Sequence, residues 1–215
     1  MLYALCLKTK RTLSGSGLHS LFRSYKYIIA QAFSFVKLLC YNYLMNLVLR
    51  PSVGTEAFRL AEVLQQANVR KQAHGDMVWG GYPFTYDEVG GLIEEGGMFT
   101  AVVDNAIAGC VKLTETDERI WGEEGLDGKA LYVHRLATAD EFKGQRLGGR
   151  IIDLAGKHAE SLGRELLRLD CPSKNELLCG YYLDEGLSLV RSIKLAGRGG
   201  FNFYRPSLFQ RPTTV

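Results

Sequence analysis

The first 45 residues of this 215-residue chain contain no aspartate or glutamate. Their six lysines and arginines give the segment a charge of +6, so the overall charge of +3 leaves the rest of the chain at −3. A mildly acidic remainder lacks the basic patch that nucleic-acid-binding domains present to phosphates. The charge distribution therefore predicts that nucleic acid is not a partner.

Several motifs that carry chemistry are also absent. The sequence has no Gly-x-x-x-x-Gly-Lys-Ser/Thr segment, which excludes a kinase-type phosphate loop. Residues 144–149 do not read Gly-x-Gly-x-x-Gly, which disfavours a dinucleotide-binding Rossmann domain. The five cysteines and four histidines show no metal-ligand spacing, so no metal is expected. An odd number of cysteines without such spacing favours free thiols in a reducing compartment.

Three interpretations of the acid-free segment 1–45 stay open. Its basic, serine-containing composition is typical of a targeting peptide, although its tyrosines are unusual for one. Residues 27–49 suggest a membrane anchor, but Lys37 falls near their middle, where a charge is costly. The favoured interpretation is that translation starts at Met45 and the segment is an extension outside the folded domain. Because no signal-peptide cleavage pattern is clear, we expect a cytoplasmic protein without a membrane partner.

From Met45 onward, hydrophobic periodicity and turn residues predict a regular succession of elements. Strands are expected at 46–50, 98–103, 107–113, 129–137, 165–171, 187–194 and 201–204. Helices are expected at 55–71, 86–95, 147–162 and 172–184, and 115–129 reads as a polar connection. These elements predict one α/β domain over residues 46–206, followed by a C-terminal tail at 207–215.

A strand, a glycine-bearing loop and a helix N-terminus follow one another within residues 131–162. The strand Leu131–Ala137 leads to Lys143–Gly149, after which apolar residues recur at helical spacing. The first N–H groups of a helix have no intrahelical partner and carry the positive end of the helix dipole. Such a helix start binds anions, and glycines allow close approach of the backbone, so the order predicts a diphosphate site.

Three segments of the chain resemble the GNAT superfamily of N-acetyltransferases. The strand Tyr132–Thr138 is similar to the family's central strand, along which the pantetheine arm of acetyl-CoA lies. The loop Lys143–Gly148 is similar to the Arg/Gln-x-x-Gly-x-Gly/Ala pyrophosphate motif, with Arg146 in place of the first glycine. The third segment, similar to the Asn-x-x-Ala-x-x-x-Tyr-x-x-x-Gly-Phe helix, reads Asn175-x-x-Leu178-x-x-x-Tyr182-x-x-x-Gly186-Leu187.

The resemblance implies a mixed, mostly antiparallel central sheet flanked by helices, in a single domain that uses acetyl-CoA as co-substrate. It implies cofactor contacts from the central strand, the loop and the start of the last helix. The residues assigned to these contacts are Leu136, Ala137, Thr138, Lys143, Gly144, Gln145, Arg146, Leu147, Gly148, Gly149 and Asn175. Arg146 is expected either to fold onto a phosphate or to crowd the loop.

Two side chains are candidates for the chemistry. Tyr182 shares a helix face with Asn175, seven residues away, whereas Tyr181 points about a third of a turn aside. The resemblance implies that Tyr182 donates a proton to the departing CoA thiolate. His134 suits removal of a proton from the amine, because histidine titrates near neutrality. A buried structural tyrosine and a hydrogen-bonded structural histidine are the alternatives.

We therefore predict an acetyl-CoA-dependent N-acetyltransferase. It would move an acetyl group to a primary amine of a small molecule or peptide by direct attack in a ternary complex. The alternatives are a catalytically silent CoA-binding or sensor domain, and transfer of a larger acyl group such as propionyl or succinyl. Whether the protein forms a homodimer is left open.

Overall fold

A computed structural model describes residues 46–195 and 205–213 of the chain. These residues form a seven-stranded sheet in the order β1-β2-β3-β4-β5-β7-β6. The strands are β1 (Leu47–Pro51), β2 (Met98–Val103), β3 (Ala106–Thr114), β4 (Ala130–Thr138), β5 (Leu166–Pro172), β6 (Ser188–Ser192) and β7 (Pro206–Pro212). Neighbouring strands are antiparallel except for β4 and β5, which are parallel. The predicted mixed, mostly antiparallel sheet is confirmed.

Helices lie on both faces of the sheet. They are α1 (Ala57–Ala73), α2 (Tyr86–Glu94), the single turn α3 (Glu118–Trp121), α4 (Leu147–Ser161) and α5 (Glu176–Asp184). Helix α1 buries a stripe at helical spacing against a face that includes Cys110. Helix α4 packs on the opposite face, where the His158 ring lies 4.9 Å from that of Phe99. The expectation of a sheet flanked by helices is therefore also confirmed.

The hairpin predicted between the second and third strands forms around Asp104 and Asn105. Their φ angles are 47° and 67°, and positive φ at both central residues is typical of a type I′ turn. The expected polar connection at 115–129 is more ordered than its composition indicates. It contains α3 and a 3-10 turn at Gly122–Leu126, and it buries Trp121 against Tyr132.

The prediction that residues 207–215 form a C-terminal tail outside the domain is wrong for most of that segment. Strand β7 pairs with β5 over seven residues and with β6 on its other side. Its Leu208 and Phe209 are almost fully buried. Prolines at both ends of β7 read as strand breakers in the sequence, but they occupy the strand termini, where proline is tolerated.

Two other expectations lie outside the described residues: the extension at 1–45 and the strand at 201–204. Within the described residues, no helix has both the length and the apolarity needed to cross a bilayer.

Candidate active site

The parallel strands β4 and β5 separate before either one ends. Their pairing stops at Val133 and Leu169, whereas β4 continues to Thr138 and β5 to Pro172. At Arg135 the backbone has φ of 50°, and the register of β4 against β3 shifts at this level. Such an irregularity bends a strand away from its partner. The result is a gap between the two strands at their carboxyl ends.

The gap opens into a cavity of about 2210 Å³ that is lined by β4, the loop after it and α5. This is larger than the roughly 300–1,000 Å³ of an ordinary small-molecule pocket, so there is room for two substrates. Eleven of the thirteen predicted site residues line it: His134, Leu136, Ala137, Thr138, Lys143, Gly144, Arg146, Leu147, Gly148, Asn175 and Tyr182. Gln145 and Gly149 do not line it, so the structure does not bring them to the cavity wall.

The N-terminus of α4 lies at one end of this cavity. Arg146 precedes the helix with φ of 52°, in the left-handed region that glycine adopts most easily. This backbone conformation explains why a glycine would be the usual residue at that position. Beyond it, the N–H groups of the first turn have no intrahelical partners, as in any helix start. A 15-residue helix whose start faces a cavity is a suitable anion site.

Two glycines let α5 pack tightly against the start of α4. A Cβ on Gly148 would lie 2.5 Å from the Tyr181 hydroxyl, and one on Gly149 would collide with the Glu185 carboxylate. The Tyr181 hydroxyl also accepts a hydrogen bond from the Gly149 backbone, and burial raises the pKa of Tyr181 to about 12. Both glycines therefore serve the contact between the helices.

The Arg146 side chain lies at the edge of the cavity, beside the end of α5. Its guanidinium donates to Glu185 at 3.1 Å, and its side chain is 68% exposed. Solvent screens the arginine end of this pair, whereas the Glu185 side chain is only 12% exposed. An anion at the start of α4 would compete with Glu185 for this guanidinium.

Asn175 has both ends of its side-chain amide in use within the protein. Its oxygen accepts from the Leu178 backbone at 3.1 Å and so caps α5, and its nitrogen donates to Asp76 at 3.1 Å. Asp76 also receives a hydrogen bond from Lys71 at 2.6 Å, which ties the loop after α1 to the start of α5. Asn175 thus positions the cavity wall, and its contact with a cofactor stays a prediction.

Tyr182 lies on the inner side of α5 with 8% of its surface exposed. Its ring packs 5.8 Å from that of Phe209, and no described residue forms a hydrogen bond with its hydroxyl. Burial, together with the nearby Cys171, raises the pKa of Tyr182 well above its usual value. The phenol therefore keeps its proton at neutral pH, as the predicted acid requires.

His134 lies on β4 beside the gap. Its Nε2 is 3.1 Å from the Thr114 hydroxyl and 3.9 Å from Oδ2 of Asp117. Burial lowers the pKa of His134 to about 4, with smaller contributions from Lys112 and Arg135. The ring is neutral at pH 7, so its approach to Asp117 is not an ion pair.

Sequence reasoning missed two residues of this site, Asp117 and Asp170. Together with His134 they place one ligand-type atom each within 4.8 Å of one another. Asp117 lies in the segment that reads as a polar connection, and only the tertiary fold brings it to β4. A weak signal existed for Asp170, because it lies near the carboxyl end of the buried strand β5, next to the gap.

Comparisons with known proteins agree with this geometry. Residues 63–186, more than half of the chain, match the model of a family described as "Acetyltransferase (GNAT) family". An uncharacterized N-acetyltransferase from Bacillus subtilis, YesJ, is 29% identical over 146 residues, which cover 65% of this chain and 81% of that protein.

Solved structures share the fold at low identity. A GNAT-family acetyltransferase from Listeria monocytogenes has a TM-score of 0.60 at 22% identity, covering 77% of this chain and 94% of that one. YncA, a putative acetyltransferase from Salmonella typhimurium solved with its cofactor acetyl-CoA, has a TM-score of 0.57 at 11% identity. That match covers 78% of this chain and 94% of the Salmonella protein.

Proposed function

The chain belongs to the GNAT acetyltransferase family, and from that premise we propose that it moves an acetyl group from acetyl-CoA to a primary amine. The amine attacks the thioester directly while both substrates are bound. The observation that carries this proposal is the gap between β4 and β5. One wall of the cavity it opens into is an anion-accepting helix start, and another is formed in part by the buried phenol Tyr182.

The diphosphate of acetyl-CoA would lie against the start of α4. Its charge suits the positive end of the helix dipole and the N–H groups of the first turn other than that of Gly149, which donates to Tyr181. Lys143, Gly144 and Arg146 line the cavity at this end. A pyrophosphate there competes with Glu185 for the exposed guanidinium of Arg146.

The pantetheine arm would extend from the diphosphate along the free edge of β4. Ala139 donates its N–H to Ala108 on the β3 side. Because successive N–H groups of a strand alternate in direction, those of Thr138 and Leu136 point toward the gap. They offer hydrogen-bond donors to the amide groups of the arm. This path leads the thioester toward Tyr182.

Direct attack is favoured over an acetylated cysteine because the candidate thiol is poorly reactive. Cys171 lies beside Tyr182 in the cavity wall, with its sulfur 3.5 Å from that of Cys179. Burial raises the pKa of Cys171 well above its usual value, and a neutral thiol is a weak nucleophile. Placing two bound reactants in contact supplies much of the rate acceleration instead.

Incubation with acetyl-CoA and a pooled amine library, read by mass spectrometry, tests the proposed function. We expect acetylated amine and free CoA in equal amounts, and intersecting lines in two-substrate kinetics. Propionyl-CoA and succinyl-CoA, tested in parallel, identify the preferred acyl group. Binding of acetyl-CoA without any product would instead favour a CoA sensor. An acetyl adduct on Cys171, with parallel kinetic lines, would contradict direct attack.

Arg146→Gly tests the role of the guanidinium at the diphosphate. Because a charged hydrogen bond to the diphosphate is lost, we expect the Kd for CoA to rise roughly 10- to 100-fold in calorimetry. The fold should tolerate the change, because glycine adopts the positive φ of this position freely. Arg146→Lys is the matched control and should keep most of the affinity. Tighter binding by Arg146→Gly would show that the arginine obstructs the loop.

A further inference from the structure

Asp117 carries a negative charge that its structural role does not require. Its Oδ1 caps α3 by accepting from the Ile120 backbone at 3.3 Å. Its Oδ2 is closed to solvent and has no hydrogen-bond partner among the described residues, and the side chain is only 10% exposed. An unpaired buried oxygen is costly, and asparagine or serine would cap the helix equally well. Helix capping therefore does not explain why residue 117 has a carboxylate.

The unpaired oxygen faces the predicted base. Oδ2 of Asp117 lies 3.9 Å from Nε2 of His134, and both residues line the cavity. The charged groups around the pair are Lys112 on β3, Arg135 on β4, Arg119 on α3 and Asp170 on β5. Because Asp117 forms no ion pair with a lysine or arginine among the described residues, its carboxylate can accept a proton delivered to this pair.

Asp117 binds a proton more strongly than His134 does, which reverses the usual order of a carboxylate and an imidazole. Burial raises the pKa of Asp117 to about 6, with Asp170 adding to the effect. Burial also lowers the pKa of His134 to about 4. A single proton shared by the pair therefore resides mainly on the carboxylate, and interacting groups of this kind titrate as a unit.

We propose that Asp117 is a positioning residue that takes up, through His134, the proton that the acceptor ammonium loses. This inference rests on the proposed acetyl transfer. The acceptor N–H bond breaks and its proton passes to the imidazole and on to Asp117. The amine nitrogen forms a bond to the acetyl carbon, the carbon–sulfur bond breaks, and the CoA thiolate takes its proton from Tyr182. The second proton that the nitrogen loses as it becomes an amide replaces the proton given up by Tyr182. The carboxylate later returns its proton to solvent.

Asp117→Asn is the informative variant, because the amide oxygen can still cap α3. We expect kcat/KM to fall roughly 10²-fold for an alkylamine acceptor, as for loss of a general base. The acidic limb of the pH–rate profile, near pH 6 in the unsubstituted protein, should shift or disappear. The affinity for acetyl-CoA should not change. Glu118→Gln, which removes an exposed charge from the same helical turn, is the matched control and should be silent.

Acceptors that need no base distinguish a proton-accepting role of Asp117 from a structural one. Hydroxylamine and methoxyamine are largely unprotonated at neutral pH and need no base to become nucleophilic. With either as acceptor, the difference between Asp117→Asn and the unsubstituted protein should shrink to a few fold. An equal loss with all acceptors would overturn the proposal.

Thermal stability gives a readout that needs no acceptor. The raised pKa means that the folded state favours protonated Asp117. Its ionisation therefore destabilises the fold as the pH rises from the ordinary aspartate pKa to about 6, and the loss is complete above that pH. Asp117→Asn should therefore raise Tm at pH 8, and the difference should vanish below about pH 4. A lower Tm at pH 8 would mark Asp117 as structural and contradict the proposal.

The outcomes distinguish this inference from the proposed function. If the unsubstituted protein acetylates no amine, the proposed function fails. If it does and Asp117→Asn keeps full activity and an unchanged pH profile, only the role of Asp117 fails. Loss of activity on chelation, restored by a divalent ion, would make Asp117, His134 and Asp170 metal ligands and would also overturn the proposal.

Discussion

Tyr182→Phe is expected to lower kcat by roughly 10²- to 10⁴-fold, the usual contribution of a well-placed general acid. The Kd for acetyl-CoA should stay within about twofold, because only a hydroxyl is removed. The phenol lies in the cavity wall, 8% exposed, and its raised pKa keeps it protonated. Its ring packing against Phe209 survives in the variant, so the fold should not change.

Tyr181→Phe is the positional control for this variant. The neighbouring hydroxyl accepts from the Gly149 backbone and so contributes to the contact between α4 and α5. Its loss should cost about 1 kcal/mol of stability with little change in kcat. If Tyr181→Phe lowers kcat strongly and Tyr182→Phe does not, the acid has been assigned to the wrong tyrosine. Stopped-flow measurement of CoA release at saturating substrates decides between them.

Gly148→Val is expected to weaken acetyl-CoA binding by 10²-fold or more. A Cβ at this position would lie 2.5 Å from the Tyr181 hydroxyl, so a branched side chain pushes α5 away from the start of α4. These two helices flank the proposed diphosphate and thioester sites. The damage is therefore expected in binding, measured by calorimetry, as well as in activity.

A double variant separates this steric cause from general unfolding. In Gly148→Ala the added Cβ approaches the Tyr181 hydroxyl at 2.5 Å but its ring carbon only at 3.4 Å. Removing the hydroxyl should therefore recover most of the affinity in Gly148→Ala combined with Tyr181→Phe. Gly180→Ala is the matched control, because a Cβ there meets nothing within 4 Å. Additive losses in the double variant would contradict the steric explanation.

The sequence predicted the fold because its signals are local. The apolar spacing of α1 and α4, the Asp104-Asn105 turn and the glycine loop each lie within a few residues of one another. The strand β7 was missed because Pro206 and Pro212 mark its ends, and only pairing with β5 and β6 shows that they are strand termini.

The candidate site was only partly predictable, because it brings together residues that are far apart in the sequence. Both Tyr182 and Tyr181 line the cavity, and Tyr181 also packs on Gly148, so the choice of Tyr182 by helix phase stays a prediction. Asp117 is separated from His134 by 17 positions, and no periodicity connects them. Its unpaired oxygen is a consequence of tertiary packing, as is the low pKa of His134. Desolvation of this kind cannot be read from the order of residues.

Hydrogen–deuterium exchange with and without saturating acetyl-CoA tests the central claim most directly, which is that the cofactor occupies the gap beside β4 and the start of α4. We expect slower exchange in peptides covering 134–138 and 143–149 when acetyl-CoA is bound. Peptides from β1 and β6, which do not line the cavity, should exchange at unchanged rates. Saturable binding that leaves 134–138 and 143–149 unprotected would contradict the account.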